Sequence, residues 1–492
     1  MKWIDVQNNQ SFDLESIVYL RKDDFSNTVS ELLQTGSRMI ALTPIDKNIP
    51  QKIIAVLSDS ASSTIHIVGG NFSDGKFEFE SWANKYPRTN YFECELSENY
   101  GYLSVNHPWL RPVRKQSVIL GNKPYQFFKL EGEEVHEVAV GPIHAGVIEP
   151  GHFRFQCHGE LIYNLEINLG YQHRSVENLF LKAKPNQRIF LAESIAGDTT
   201  IGHTFAHCSA LESLTQTQIS LRADVIRTVA AEIERIAMHL SGLGGLTNDI
   251  GFALPSASYG RLRTLAINSL AAICGSRYGR GLFAYGGINF DFTNETIEMV
   301  TENLKTIQND VQKINEYLFS SVGALSRFEE TGIINNELAN SIGLVGLAAR
   351  SSGIEDDIRI NFPYSAYRYN PVSMITLSTG DVFARARARA MEMDEALRFV
   401  FEQIENLPQG KIKSEMGNLN VNSGVISIVE GWRGEIVHIA SIDNSGNLMQ
   451  YKIKDPSFNN WYGLSLTLRN TAISDFPLCN KSFDLSYSGH DL

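Results

Sequence analysis

GPIHAGVIEPGHFRFQCHGELI (Gly141–Ile162), NLGYQHRSVENLF (Asn168–Phe180) and ESIAGDTTIGHTFAHCSALE (Glu193–Glu212) decide how this chain is read. Together they have the layout of a buried redox site. Two glycine-punctuated turns, at Gly141 and Gly197, each sit beside a histidine, His144 and His203. Glycine lets backbone approach backbone or a bound group closely. Histidine supplies proton or metal chemistry near neutral pH. The turns themselves carry no thiol, so the soft ligands that would hold a transition metal are missing.

The surrounding chain has 492 residues, too many for one ordinary domain, and two or three are expected. Apolar content of 43% and charged content of 20% are those of a globular protein with a sizeable core. A net charge of −12 argues against a nucleic-acid partner. Cys94, Cys157, Cys208, Cys274 and Cys479 are scattered, with no CxxC pair, and read as separate reduced thiols. No apolar run approaches the roughly 20 residues that span a bilayer, so no direct membrane span is expected.

The expected fold class is α+β. Residues 1–115 read as a small α/β domain, closing in NHPWLRPVRK (Asn106–Lys115) as a linker. Within it, DFSNTVSELLQTGS predicts a helix capped by Ser26 or Asn27, and FEFESWANKYPRTNYFECELSENYGYLSV alternates like a half-buried strand. Residues 116–180 read as β-rich. A helical bundle follows, and its clearest stripe is Val225, Ile226, Val229, Ile233, Ile236, Leu240 and Leu243, ended by Gly244–Gly245. Further helices are predicted over Leu262–Cys274, Asn294–Phe319, Asn336–Leu347 and Asp381–Gln403, the last capped by Asp381. Arg385, Arg387 and Arg389 cannot share one helix face, so one or two are expected to enter the interior. VNSGVISIVEGWRGEIVHIASID and NLMQYKIKDP predict a C-terminal antiparallel β region, with the Trp432–Gly434 interruption aiming Arg433 inward.

In this order the motifs GPIHAGVIEPGHFRF, GYQHRSVENLF, ESIAGDTTIGHTFAHCSALE, RADVIRTVAAEIERIAMHLSGLGGLTND, GLVGLAARSSGIEDDIR, STGDVFARARARAMEMDEA and VEGWRGEIVH resemble one family. It is the large subunit of membrane-bound, energy-converting nickel–iron hydrogenases of the formate-hydrogenlyase type, together with the large quinone-pocket subunit of respiratory complex I. The resemblance spans residues 120–492. Residues 1–115, ending in GYLSVNHPWLRPVRK, resemble the smaller peripheral-arm subunit of complex I. The fold implied is the hydrogenase large-subunit helical core. The function implied is a subunit of an oxidoreductase complex (NADH:quinone oxidoreductase-like or hydrogenase-like) that couples electron transfer to ion translocation. A small iron–sulfur subunit and antiporter-like membrane subunits are the implied partners. The implied place is peripheral, on the cytoplasmic face of the inner membrane.

In the hydrogenases four thiolates, in two CxxC pairs, hold the metals. The matching positions here are Ala196, Thr199, Ser486 and Gly489, so no metal is expected on this chain and its nickel–iron site reads as lost. Cys479 lies seven residues before Ser486, and Cys208 about two and a half helical turns beyond Thr199, so neither replaces a ligand. The resemblance implies further roles. His144 matches a quinone-contacting histidine, although the quinone-binding tyrosine of complex I is absent from Ala196–Asp198. Glu149 falls near a proton-passing glutamate of the hydrogenases. His173 and Arg174 match a pair that approaches the partner's iron–sulfur cluster. Asp198 and Arg433 are expected to form an ion pair where the metal would be. The candidate catalytic residues are therefore His144, Asp198, His203, Arg433 and Glu149. Quinone reduction near His144, and a structural scaffold without chemistry, are the alternatives.

Overall fold

The computed structural model describes residues 2–115, 117–120, 125–146 and 148–492. The fold is α+β, as expected. The chain opens on a five-stranded sheet in which Ile4–Val6, Thr64–Asn71, Lys52–Asp59 and Arg38–Pro44 are antiparallel neighbours. Tyr19–Arg21 joins Thr64–Asn71 in parallel. The helix Lys22–Gln34 covers this sheet with Phe25, Val29, Leu32 and Leu33. It begins four residues before the expected cap. Arg21 makes no side-chain cap, and Asp23 and Asp24 in the first turn meet the positive end of the helix instead.

The stretch expected as one alternating strand is two short strands, Glu78–Glu80 and Leu103–Val105, around the helix Asn90–Tyr100. The cause lies in its carboxylates, because Glu93, Glu95 and Glu98 are all buried. Glu93 accepts from Ser81 and Thr89. Glu95 is paired with Arg114 and with Lys452, 2.6 Å away. Glu98 takes the backbone N–H groups of Val113, Arg114 and Lys115 at 2.7–2.9 Å. When polar residues face inward, hydropathy no longer reports the buried face. The same bonds make Val113–Lys115 a fixed segment rather than a solvated linker.

Within the β-rich stretch, the strands are Val135–Val140, His152–His158 and Leu161–Asn168, an antiparallel meander. Residues 116, 121–124 and 147 of that stretch lie outside the described residues. The Gly141 turn joins the first two strands.

The long helix Leu221–Asp249 runs through Gly244 and Gly245, which were expected to end it. They are close-approach positions. A Cβ on Gly245 would lie 2.0 Å from Lys481 Cε, and one on Gly244 would touch Tyr259 of the helix Ala253–Cys274. Asn294–Ser320 follows. The helix expected over Asn336–Leu347 is two, Asn336–Ile342 and Gly346–Arg350, parted at Gly343 with φ +71°. Val382–Glu405 is capped by Asp381, which accepts from the Ala384 N–H at 2.8 Å. Arg385 and Arg389 are buried, while Arg387 is half-buried over Phe319.

Three buried arginines of the bundle are paired with carboxylates. Arg227 holds Glu212, Arg350 holds Glu392 and Glu430, and Arg359 holds Glu232 and Asp357. The expected C-terminal β region is Ser423–Glu430, Glu435–Ile442 and Leu448–Lys454, with Ser11–Asp13 added at its edge. Three helices close the chain, Pro456–Thr467, Phe476–Phe483 and Tyr487–Asp491. Among the described residues no helix is long and apolar enough to cross a membrane.

Glu95 links the Arg114 seam to the strand carrying Lys452. Glu95→Ala leaves two buried cations without their shared partner, which is expected to cost about 3–5 kcal/mol, read as a lower urea midpoint. Burial pushes the Glu95 carboxyl up, but Lys452 and Arg114 outweigh it and hold the group at about 2, below its ordinary 4.5. Its stabilisation is complete above pH 4.5 and is lost as the pH falls through about 2. The variant should therefore show a weaker acid dependence than the parent over that window.

Candidate functional site

The second glycine turn, Glu193–Thr199, leads into the helix Thr200–Leu214. That helix starts without a side-chain cap. Its orphan N–H groups at Ile201 and Gly202 instead donate to Glu234 of the long helix, at 2.8 and 3.2 Å. Burial, opposed by these two bonds, raises Glu234 to about 8.

Arg433 enters from the tight Gly431–Gly434 turn between two strands. It donates to both carboxylate oxygens of Asp198, at 2.8 and 2.6 Å, to Thr199 Oγ1 at 3.2 Å, and to the Asp484 carbonyl. Its guanidinium lies over the Trp432 ring, 3.8 Å from the centroid, and Trp432 Nε1 donates to the Asp198 carbonyl at 2.9 Å. Burial lowers the Arg433 pKa, but Asp198 overcomes this and raises it, so the group is cationic. Asp198 and Trp432 line a pocket of about 540 Å³ together with Gly197, Met238, Arg263 and Lys481. Asp198 is 38% exposed and Arg433 only 4%, so the carboxylate faces the opening.

The last residues of the chain meet this turn. Arg174 donates to the carbonyls of Ser194 at 2.6 Å, Ile195 at 2.7 Å and Ser488 at 3.3 Å. His173 Nδ1 donates to the Asp491 carbonyl at 2.7 Å. Ser486 caps the final helix, accepting from Gly489 N at 2.9 Å. His173 and Arg174 thus direct these donors to the chain's own backbone. By these contacts the turn that carries Ala196 and Thr199 is joined to the one that carries Ser486 and Gly489.

The other expected residues lie elsewhere in this region. His144 is half-buried, with Nε2 donating to the Gly151 carbonyl at 2.9 Å and its ring packed on Phe153. Glu149 is half-buried, and its charge is felt by Arg174 and Tyr487. His203 is fully buried between Asp455, 3.0 Å from Nε2, and His438, 3.1 Å from Nδ1. Asp455, His438, His207, Tyr451 and Tyr285 were not singled out from the sequence. A signal existed, since His203 and His207 are four apart on one helix face. His438 and Tyr451 are diagonal neighbours on paired strands, because His438 faces Ile453 and Ala440 faces Tyr451.

A thiolate-held nickel–iron centre does not fit these residues. The four positions offer a methyl group, two hydroxyls and a bare Cα. The space for a side chain at Gly489 is taken, as a Cβ there would lie 2.6 Å from the Asp455 carboxyl. All five cysteines are buried. Burial pushes Cys94 and Cys479 up to about 12 and raises Cys157, Cys208 and Cys274 as well. A protonated thiol is a poor ligand.

Gly489→Cys tests this packing directly. The new side chain must displace Asp455, and overpacking of this kind costs about 1–3 kcal/mol. A Tm and urea midpoint equal to those of the parent would show that the site has room after all.

Comparison with known proteins follows the same lines. Residues 249–423 match the family described as respiratory-chain NADH dehydrogenase, 49 Kd subunit. Formate hydrogenlyase subunit 5 of Escherichia coli is 27% identical over 439 residues, covering 85% of this chain and 77% of the relative. Hydrogenase-4 component G of the same organism is 26% identical over 436 residues, covering 84% and 76%. An NADH-quinone oxidoreductase subunit of Bacteroides thetaiotaomicron is 27% identical over 420 residues, covering 76% and 78%.

Proposed function

We propose, from the premise that this chain is a large subunit of the complex I- and hydrogenase-related kind, that it works in a membrane-associated oxidoreductase complex without a thiolate-held metal centre of its own. The complex couples electron transfer to ion translocation. One observation carries this reading. Arg174 ties the turn at Glu193–Thr199 to the C-terminal turn at Ser486–Gly489, and Arg433 and Asp198 stand beside them as a bidentate ion pair. The pair puts fixed charge where the relatives named hydrogenase would be expected to hold metal.

A small iron–sulfur subunit docks over the Gly141–Glu212 face, and antiporter-like membrane subunits lie below it. The complex sits peripherally on the cytoplasmic face of the inner membrane. Support for docking comes from the Gly141 turn, where Ile143 is 80% and Ile148 56% exposed, more than a solvated turn favours. Quinone is the acceptor in a second reading. It is favoured by the place of His144, half-buried at the rim of the same face and packed on Phe153, whose other neighbours include Tyr487.

Affinity purification of the tagged chain from its native membranes tests the first reading. An iron-containing subunit and integral membrane subunits are expected in the eluate, with far less than one nickel per chain. Recovery of the chain alone would refute the complex, and one nickel per chain would refute the metal-free site. For the second reading, a quinone analogue should bind the purified complex and lose at least tenfold in affinity in His144→Ala. Equal binding by the variant excludes that contact.

A further inference from the structure

Behind the ion pair runs an unbroken line of side-chain hydrogen bonds. It begins at Asp455, against the C-terminal turn, whose Oδ2 is 3.0 Å from His203 Nε2. His203 Nδ1 is 3.1 Å from His438 Nε2, and His438 Nδ1 is 2.9 Å from the Tyr451 hydroxyl. That hydroxyl is 2.6 Å from His207 Nδ1, and His207 Nε2 is 3.0 Å from the Tyr285 hydroxyl. Tyr285 is half-buried and lies 3.0 Å from the carbonyl of Pro185, an exposed residue. Asp455, His203, His438, Tyr451 and His207 are fully buried, and Phe180 stacks flat on Tyr451 at 4.2 Å. Burying five polar side chains in a row costs free energy unless each is paired. Apolar side chains of similar size would fill the same space without that condition.

The geometry points to a proton relay through Tyr285, His207, Tyr451, His438 and His203, joining the protein surface to Asp455 beneath the Arg433–Asp198 pair. Every link is a group that both donates and accepts. With Asp455 ionised, five protons occupy the line and all point one way, from Tyr285 through His207, Tyr451, His438 and His203 to the carboxylate. A proton arriving from water on the Tyr285 oxygen lets each successive proton advance one bond. Tyr285 gives its own to His207 Nε2, His207 gives the Nδ1 proton to Tyr451, and Tyr451 gives its proton to His438 Nδ1. His438 then gives the Nε2 proton to His203 Nδ1. The line now holds six protons, with His203 cationic against Asp455, or neutral once its Nε2 proton passes to that carboxylate. Every link from Tyr285 to His203 has reversed, and Tyr285 donates outward to Pro185.

Neutral links suit this transfer, since a permanent charge midway would trap the proton. Burial, reinforced by Arg188, lowers His207 to about 3. Burial, then His203 and His207, lowers His438 well below the usual range. Burial raises Tyr451, with Tyr285 and Cys208 adding and Arg188 opposing. Burial raises Tyr285, with Cys208 and Glu212 adding and Arg188 and the Ile189 N–H opposing. Delivery of the proton to a redox site rests on the function proposed above, but conduction along the line does not.

Exchange of histidine ring N–H protons with water, measured by NMR on the full chain carrying 15N-histidine, tests the relay. Tyr285→Phe removes the surface link at a half-buried position and is expected to slow exchange at His203 at least tenfold, with Tm retained. Tyr451→Phe should do the same from the middle of the line. Tyr163→Phe, an exposed tyrosine off the line, should leave exchange unchanged. Unchanged exchange at His203 in a folded Tyr285→Phe chain overturns the relay, and that variant decides alone if Tyr451→Phe does not fold. Because the isolated chain is used, a failed co-purification of partner subunits leaves this result standing.

Discussion

Two guanidinium groups, those of Arg433 and Arg174, hold together segments that the chain places almost 300 residues apart. Arg433 ties Asp198 and Thr199 to the Asp484 carbonyl, and Arg174 ties the Ser194 and Ile195 carbonyls to that of Ser488. Arginine suits the task because its planar fork makes several directed bonds and keeps its charge when buried. The pocket, the final helix and the setting of Asp455 depend on this clasp. Without it the C-terminal turn would lack its polar anchors to the Glu193–Thr199 turn.

The clasp is also matched in charge. A buried cation needs an opposite charge, and Asp198 provides it from the Glu193–Thr199 turn. Gly489 then admits Asp455 to within contact distance of its Cα, and Asp455 in turn receives His203. The same pairing appears across the bundle, where Arg227, Arg350 and Arg359 are each met by carboxylates.

Misread elements share one cause. The helix Asn90–Tyr100 buries Glu93, Glu95 and Glu98, so its hydropathy pattern imitates a strand. Gly244 and Gly245 look like a helix end, but a neighbouring helix and Lys481 need the missing side chains. In each case the deciding partner comes from a distant part of the chain.

By itself the sequence determined the α+β class, the long helices, the C-terminal antiparallel strands and the inward aim of Arg433, because these follow from local periodicity, caps and turn residues. It also determined that no thiol stands at Ala196, Thr199, Ser486 or Gly489, a matter of composition at matched positions. The Asp198–Arg433 pair was expected from the resemblance and is present, but only the tertiary structure decided that His173 and Arg174 face their own C-terminus, and that His203, His438, Tyr451, His207 and Tyr285 form one line. Those relations join residues up to about 300 positions apart, and a hydrogen bond depends on where two atoms finally lie, which no local pattern encodes.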